Sequence, residues 1–139
     1  MIDGVSADDG QQPRPTVLIV DDYPGVAEVI GAALQLRGYD VATTGDFQDA
    51  RTQLLAARVD VLVTDVRLGQ FNGLQLAVIA RATWPTIRIV VISGFDDPVL
   101  KAEAVAVNAA YLVKPVLPEH IITTLQSMAE PLDANPPQD

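Results

Sequence analysis

Asp21, Asp22, Asp65, Ser93 and Lys114 each stand at or just beyond the end of a short apolar run. The runs are Thr16-Val-Leu-Ile-Val20, Val61-Leu-Val63, Ile89-Val-Val-Ile92 and Tyr111-Leu-Val113. Carboxylates gathered in one place repel each other and raise at least one pKa unless a cation joins them. Hard cations such as Mg²⁺ take a few carboxylates together with water and phosphate oxygens. Lys114 would then pair with one carboxylate or with an incoming phosphoryl oxygen, and the Ser93 hydroxyl would donate a hydrogen bond. One at a time these residues are ordinary. An acidic pair after a strand is usually a turn or a helix cap, and a lone lysine is usually a solvated charge. Their joint placement, one residue type per run, carries the reading.

What must position them is a set of buried strands. Continuous apolar runs of this length, bounded by charges, suit strands covered on both faces. Val41 to Thr43 is a weaker, polar-flanked strand expected nearer a sheet edge. Helical patterns lie between the runs. Val26, Val29, Ile30, Ala33 and Leu34 share one face before the stop at Gly38. Asp46 can cap a helix through Leu54 and Ala57, and Asn72 another with Leu74, Ala77 and Val78 inward. Asp97-Pro98 reads as a cap and a first-turn proline, opening a helix to about Val107. Pro118 opens a last helix with the stripe Ile121, Ile122, Leu125 and Met128. Five strand–helix rounds predict an α/β fold with a parallel sheet. The commonest such topology is the flavodoxin-like, doubly wound (βα)5 order 2-1-3-4-5, whose ligands bind beyond the carboxyl ends of the strands.

With 139 residues and 49% hydrophobic content, one domain with a full core is expected. We expect a polar, disordered tail over 1–15, a domain over 16–130, and a flexible Pro-rich tail or linker over 131–139. The absence of Cys removes thiolate nucleophiles and thiolate metal sites. A formal net charge of −9 disfavours direct nucleic-acid binding. No secretory signal and no membrane-length apolar run are visible, so a cytoplasmic location and no membrane partner are expected.

From about Thr16 to Met128 the sequence resembles the response-regulator receiver family. The resemblance rests on Val-Leu-Ile-Val-Asp21-Asp22, Val-Leu-Val-Thr-Asp65-Val-Arg-Leu with Gly73-Leu74 downstream, Val-Val-Ile-Ser93-Gly94, and Tyr111-Leu-Val-Lys114-Pro115, in order and with family spacing. It implies that Asp65 is the phosphoacceptor and that Mg²⁺ or Mn²⁺ is held by Asp21, Asp22, Asp65 and the backbone carbonyl of Arg67. Asp22 would bind the metal directly and Asp21 through water. Ser93 would be the switch hydroxyl, Lys114 the phosphate-pairing lysine and Tyr111 the aromatic that turns inward. Asp65, Lys114 and Ser93 would carry the phosphotransfer chemistry. The Lys114–Pro115 bond is expected to be cis.

The resemblance further implies a phosphohistidine donor, either a sensor histidine kinase or a histidine phosphotransfer protein. Output would pass to a downstream protein, or to a second copy, through the fourth helix, fifth strand and fifth helix. Such a protein is a signalling switch with weak self-catalysed phosphotransfer and dephosphorylation rather than an enzyme. Some positions depart from the family's habit. Leu68 is followed by Gly69 where proline is common, Asn108 stands where glycine often ends the fourth helix, and Arg67 places a long cation beside the site. An aspartyl-phosphate phosphohydrolase of the haloacid-dehalogenase type would want an acid at position 67. A flavin-binding module would want an anion-cradling loop where Asp21-Asp22 stands. A receiver that is never phosphorylated would be expected to lack part of the residue set. After the last helix the chain reads as either the end of a single-domain regulator or a linker to further sequence.

Overall fold

The structure, a computed structural model, describes residues 13–129. The expected tails lie for the most part outside the described residues. In chain order the elements are β1 (Thr16–Val20), α1 (Pro24–Leu36), β2 (Asp40–Thr44), α2 (Phe47–Ala56), β3 (Val61–Asp65), β4 (Arg67–Leu68), β5 (Phe71–Asn72), α3 (Gly73–Thr83), β6 (Arg88–Ser93), α4 (Pro98–Ala106), β7 (Ala110–Val113) and α5 (Pro118–Ala129).

The five longer strands form one parallel sheet in the order β2-β1-β3-β6-β7. With the two-residue strands β4 and β5 set aside, this is the expected 2-1-3-4-5 topology. β4 and β5 pair antiparallel as a small hairpin directly after β3, which the sequence patterns did not predict.

Alternation along each strand sends side chains to two cores. Val17, Ile19, Val61 and Val63 meet Ile30 and Leu34 of α1 and Ile121 and Leu125 of α5. Leu18, Leu62, Ile89 and Val91 meet Leu54 of α2, Leu76 and Ala77 of α3, and Ala104 of α4. Two helix faces differ from the expectation. The buried positions of α1 are Ala27, Ile30, Gly31 and Leu34, while Val26 and Val29 point to solvent. On α3, Val78 is likewise exposed.

The helix starts are capped as read. Asp46 Oδ2 accepts from Asp49 N–H at 2.8 Å. Asn72 closes a capping box with Gln75, and Asp97 Oδ1 accepts from Val99 and Leu100 N–H. Asn108 takes φ 56° and ends α4 in place of a glycine. The Lys114–Pro115 bond is cis. Among the described residues no helix is long and apolar enough to cross a membrane.

Candidate functional site

Register decides what shares the rim of the sheet. Val20 lies beside Thr64, Asp65 beside Ile92, and Ser93 beside Val113. The next residues of β1 and β7, Asp21 and Lys114, therefore emerge on the same edge as Asp65 and Ser93. Backbone hydrogen bonds extend past the strand ends and fix that edge: Asp21 N–H to Thr44 O at 3.0 Å, Val66 N–H to Ile92 O at 2.9 Å, and Lys114 N–H to Ser93 O at 2.8 Å.

The carboxylates of Asp21, Asp22 and Asp65 converge, with ligand oxygens all within 4.8 Å of one another. Asp21 and Asp65 are buried and Asp22 is exposed. Lys114 Nζ stands 3.1 Å from Asp65 Oδ1. Burial pushes the Asp65 carboxyl above the usual range. Lys114 opposes that shift by hydrogen bond and charge, and the neighbouring carboxylates add to it. Burial likewise raises Asp21, against the pull of the Tyr23 amide and of Lys114 and with a further push from Asp22. Tyr23 N–H donates to Asp21 Oδ1 at 2.9 Å, so one oxygen of that carboxylate is already engaged.

The set fits a divalent cation. Three carboxylates face one ammonium, leaving a negative excess in a partly desolvated pocket that all-oxygen donors would share with a hard metal.

A cleft of about 440 Å³ opens above the cluster, lined in part by Asp22, Asp65, Arg67, Ser93 and Lys114. Ser93 is buried, and its Oγ accepts from Phe95 N–H at 3.1 Å. Tyr111 is half-buried at the rim, and its hydroxyl donates to Phe95 O at 2.6 Å. The structure thus brings Asp21, Asp22, Asp65, Arg67, Ser93 and Lys114 around one space, with Tyr111 one residue removed.

Sequence reasoning passed over three contributors. Tyr23 and Phe95 line the cleft as exposed aromatics, and nothing in their type or spacing announced it. Gly73 is the third: a Cβ there would lie 2.0 Å from Asp65 O and 2.7 Å from Thr64 Oγ1. Its N–H donates to Val66 O at 2.7 Å, so the start of α3 is pressed against the end of β3. The Gly73-Leu74 motif was the available signal, although it does not by itself disclose a backbone approach.

The chain matches the sequence profile of the response regulator receiver domain over residues 17–126. It belongs to that family. Among curated relatives it is 31% identical over 112 residues to the alginate biosynthesis transcriptional regulatory protein AlgB of Pseudomonas putida, a match covering 80% of this chain and 25% of that one. Among solved structures it is similar to a response regulator from Burkholderia pseudomallei with a phosphorylated aspartic acid, calcium ion and citrate (29% identity, TM-score 0.75, covering 81% of this chain and 67% of that one). It is also similar to the chemotaxis response regulator CheY4 of Vibrio cholerae (30% identity, TM-score 0.74, covering 84% and 99%). The chain spans a quarter to a half of the length of the curated relatives it matches. Receiver domains are signalling phosphoacceptors of two-component systems; this chain shares their fold and carries an acidic cluster that could hold a metal ion.

Proposed function

We propose that this receiver accepts a phosphoryl group on Asp65 from a phosphohistidine of a sensor kinase or phosphotransfer protein, in a reaction that requires Mg²⁺. The observation that carries the reading is the placement of Asp65. It ends the central strand, stands within 4.8 Å of two further carboxylates, and is paired with Lys114 at 3.1 Å. The phosphorylated aspartate and calcium in the Burkholderia relative support it.

In the step proposed, an Asp65 carboxylate oxygen forms the new bond to phosphorus as the bond to the donor imidazole nitrogen breaks. The electron pair of that bond returns to the imidazole. The protein's contribution is placement and charge, since such a transfer asks for little other covalent chemistry. Lys114 faces the phosphoryl oxygens and offsets their charge. Asp21, Asp22, Asp65 and the Arg67 carbonyl would hold the metal, which supplies further positive charge to the same oxygens. Ser93 donates to a phosphoryl oxygen, giving the phosphorylated form a differential contact that biases a second arrangement of the loop before α4. Tyr111, hydrogen-bonded to that loop, responds, and the surface formed by α4, β7 and α5 changes for a partner protein or a second copy. The same groups assist slow loss of the phosphoryl group, so the chain works as a switch and not as a turnover enzyme. We assign the receiver unit to residues 16–130 and its location to the cytoplasm. The negative charge of the sequence argues against direct nucleic-acid binding by this chain.

Incubation with acetyl phosphate and Mg²⁺ tests the core of this reading. Intact mass should show one added phosphoryl group on the parent and none on Asp65→Asn. Equal labelling of the two proteins would remove Asp65 as the acceptor.

A further inference from the structure

Phe95 is held from three directions at once. Its N–H donates to Ser93 Oγ at 3.1 Å, its carbonyl accepts from the Tyr111 hydroxyl at 2.6 Å, and its ring carries the Arg67 guanidinium 5.3 Å from the centroid. Arg67 lies two residues after Asp65, and both Arg67 and Phe95 line the cleft above that carboxylate. We infer that the Arg67–Phe95 contact is a latch on the loop between β6 and α4, and that a phosphoryl group on Asp65 opens it by drawing the guanidinium away from the ring. The inference rests on the phosphoacceptor role proposed for Asp65. It adds to the Ser93 hydroxyl a second connection between the site and Tyr111.

The physical case is one of competition. A guanidinium over an aromatic face is attracted by the ring quadrupole, modestly at an exposed site. Arg67 and Phe95 are both exposed, so the latch is a weak one. A phosphoryl group offers the same guanidinium charge-assisted and bidentate hydrogen bonds, which are stronger than contact with a ring. Among the described residues Arg67 forms no ion pair, and Lys114 already engages Asp65 Oδ1. Phosphorylation therefore changes the partner of Arg67, and a differential interaction of this kind can bias a two-state loop. Ser93 is released from Phe95 N–H in the same event if its hydroxyl turns to the phosphoryl oxygen. With two of its three restraints gone, Phe95 is held only by the hydrogen bond that its carbonyl accepts from the Tyr111 hydroxyl. Phe95 is thus a positioning residue for the switch, and Arg67 reads the charge.

A latch of this strength should hold back the active-like arrangement by about 2- to 5-fold. Fluorotyrosine labelling, with the Tyr111 signal assigned by Tyr111→Phe, gives a direct readout. Three variants are compared without and with beryllofluoride and Mg²⁺. Phe95→Leu keeps the backbone hydrogen bonds and apolar bulk but removes the aromatic face. Arg67→Ala removes the cation, and Arg67→Lys restores a charge. Without beryllofluoride, Phe95→Leu and Arg67→Ala should each move the Tyr111 signal part of the way to the parent's beryllofluoride position, and Arg67→Lys should move it back toward the parent. If both variants sit at the parental position while beryllofluoride still shifts it, the latch is refuted and the phosphoacceptor reading stands. If the parent neither shifts nor gains a phosphoryl group by intact mass, the phosphoacceptor reading fails and takes the latch with it.

Discussion

Lys114 Nζ stands 3.1 Å from Asp65 Oδ1, and this ion pair opposes the burial that pushes the Asp65 carboxyl upward. Lys114→Ala should therefore raise the pKa of Asp65 further and leave the transferring oxygens short of one positive charge. Because the lysine is partly exposed, the loss should be smaller than for a fully enclosed donor, about 10- to 100-fold in the rate of labelling by acetyl phosphate. Stopped reactions followed by intact mass, and a carboxyl titration by NMR, measure the two effects. An unchanged labelling rate would show that the pair is only structural.

Metal binding should follow the geometry of the two adjacent acids. One oxygen of Asp21 is occupied by the Tyr23 amide, whereas Asp22 is exposed at the mouth of the cleft. Calorimetric titration with Mg²⁺ should thus show a larger loss for Asp22→Ala than for Asp21→Ala. Binding should also weaken as pH falls, because the metal and the proton compete for Asp21 and Asp65. Both carboxyls sit above the usual range, so the weakening should begin at a higher pH than an ordinary aspartate would give. Affinity that holds constant down to the ordinary aspartate range would contradict the raised values.

The strands and the convergence of the proposed site residues were legible because parallel strands buried on both faces leave unbroken apolar runs, and Asp21, Asp22, Asp65, Ser93 and Lys114 stand where those runs stop. The helix faces were harder to read. Reading α1 by its large apolar residues selected Val26 and Val29, but the packed face uses Ala27 and Gly31. A Cβ at Gly31 would sit 3.2 Å from Val41 Cγ1, so small residues let the helix lie close to the sheet and the valines turn outward. Phe95 was silent for a different reason. Two of its three restraints run through backbone atoms, which any residue type possesses.

Gly73→Ala should damage the site from behind. The new Cβ would overlap Asp65 O, a backbone atom that can yield only if the end of β3 moves. The overpacking should cost about 1–3 kcal/mol, and more if the carbonyl cannot shift. Urea unfolding gives the stability loss, and acetyl phosphate labelling of the folded fraction should be slowed as well. A variant as stable and as readily labelled as the parent would mean that this contact is loose in solution.

Asp60 supplies a pH dependence remote from the site. Burial raises its pKa, but hydrogen bonds from the Thr16 amide, Arg58 and the Thr16 hydroxyl outweigh burial and hold it below the usual range. A carboxyl depressed in the folded state contributes stability above its unfolded pKa and loses that contribution as pH falls through the folded one. Unfolding from neutral pH down into the acid range should therefore show a smaller acid loss in Asp60→Asn than in the parent. Superimposable pH profiles for the two proteins would exclude the contribution.

The helix assigned to output should also be the most readily opened. Only Ala104 of α4 is buried, whereas α5 buries Ile121, Ile122 and Leu125 and α1 buries four residues. Few buried apolar contacts imply a low free energy of local opening, so α4 amides should exchange with solvent before those of α1 and α5. The opening should not be even along the helix. Arg81 of α3 donates to Val107 O at 3.0 Å and to Asn108 O at 3.2 Å, fastening the end of α4, and to Pro85 O at 2.8 Å. Protection should therefore rise from the start of α4 toward Ala106, and Arg81→Ala should flatten that gradient by freeing the anchored end. Hydrogen exchange resolved by NMR reads both effects in one experiment. Uniform protection along α4, equal to that of α5, would show that the helix opens only with the whole domain and that its thin contact with the core has no dynamic consequence.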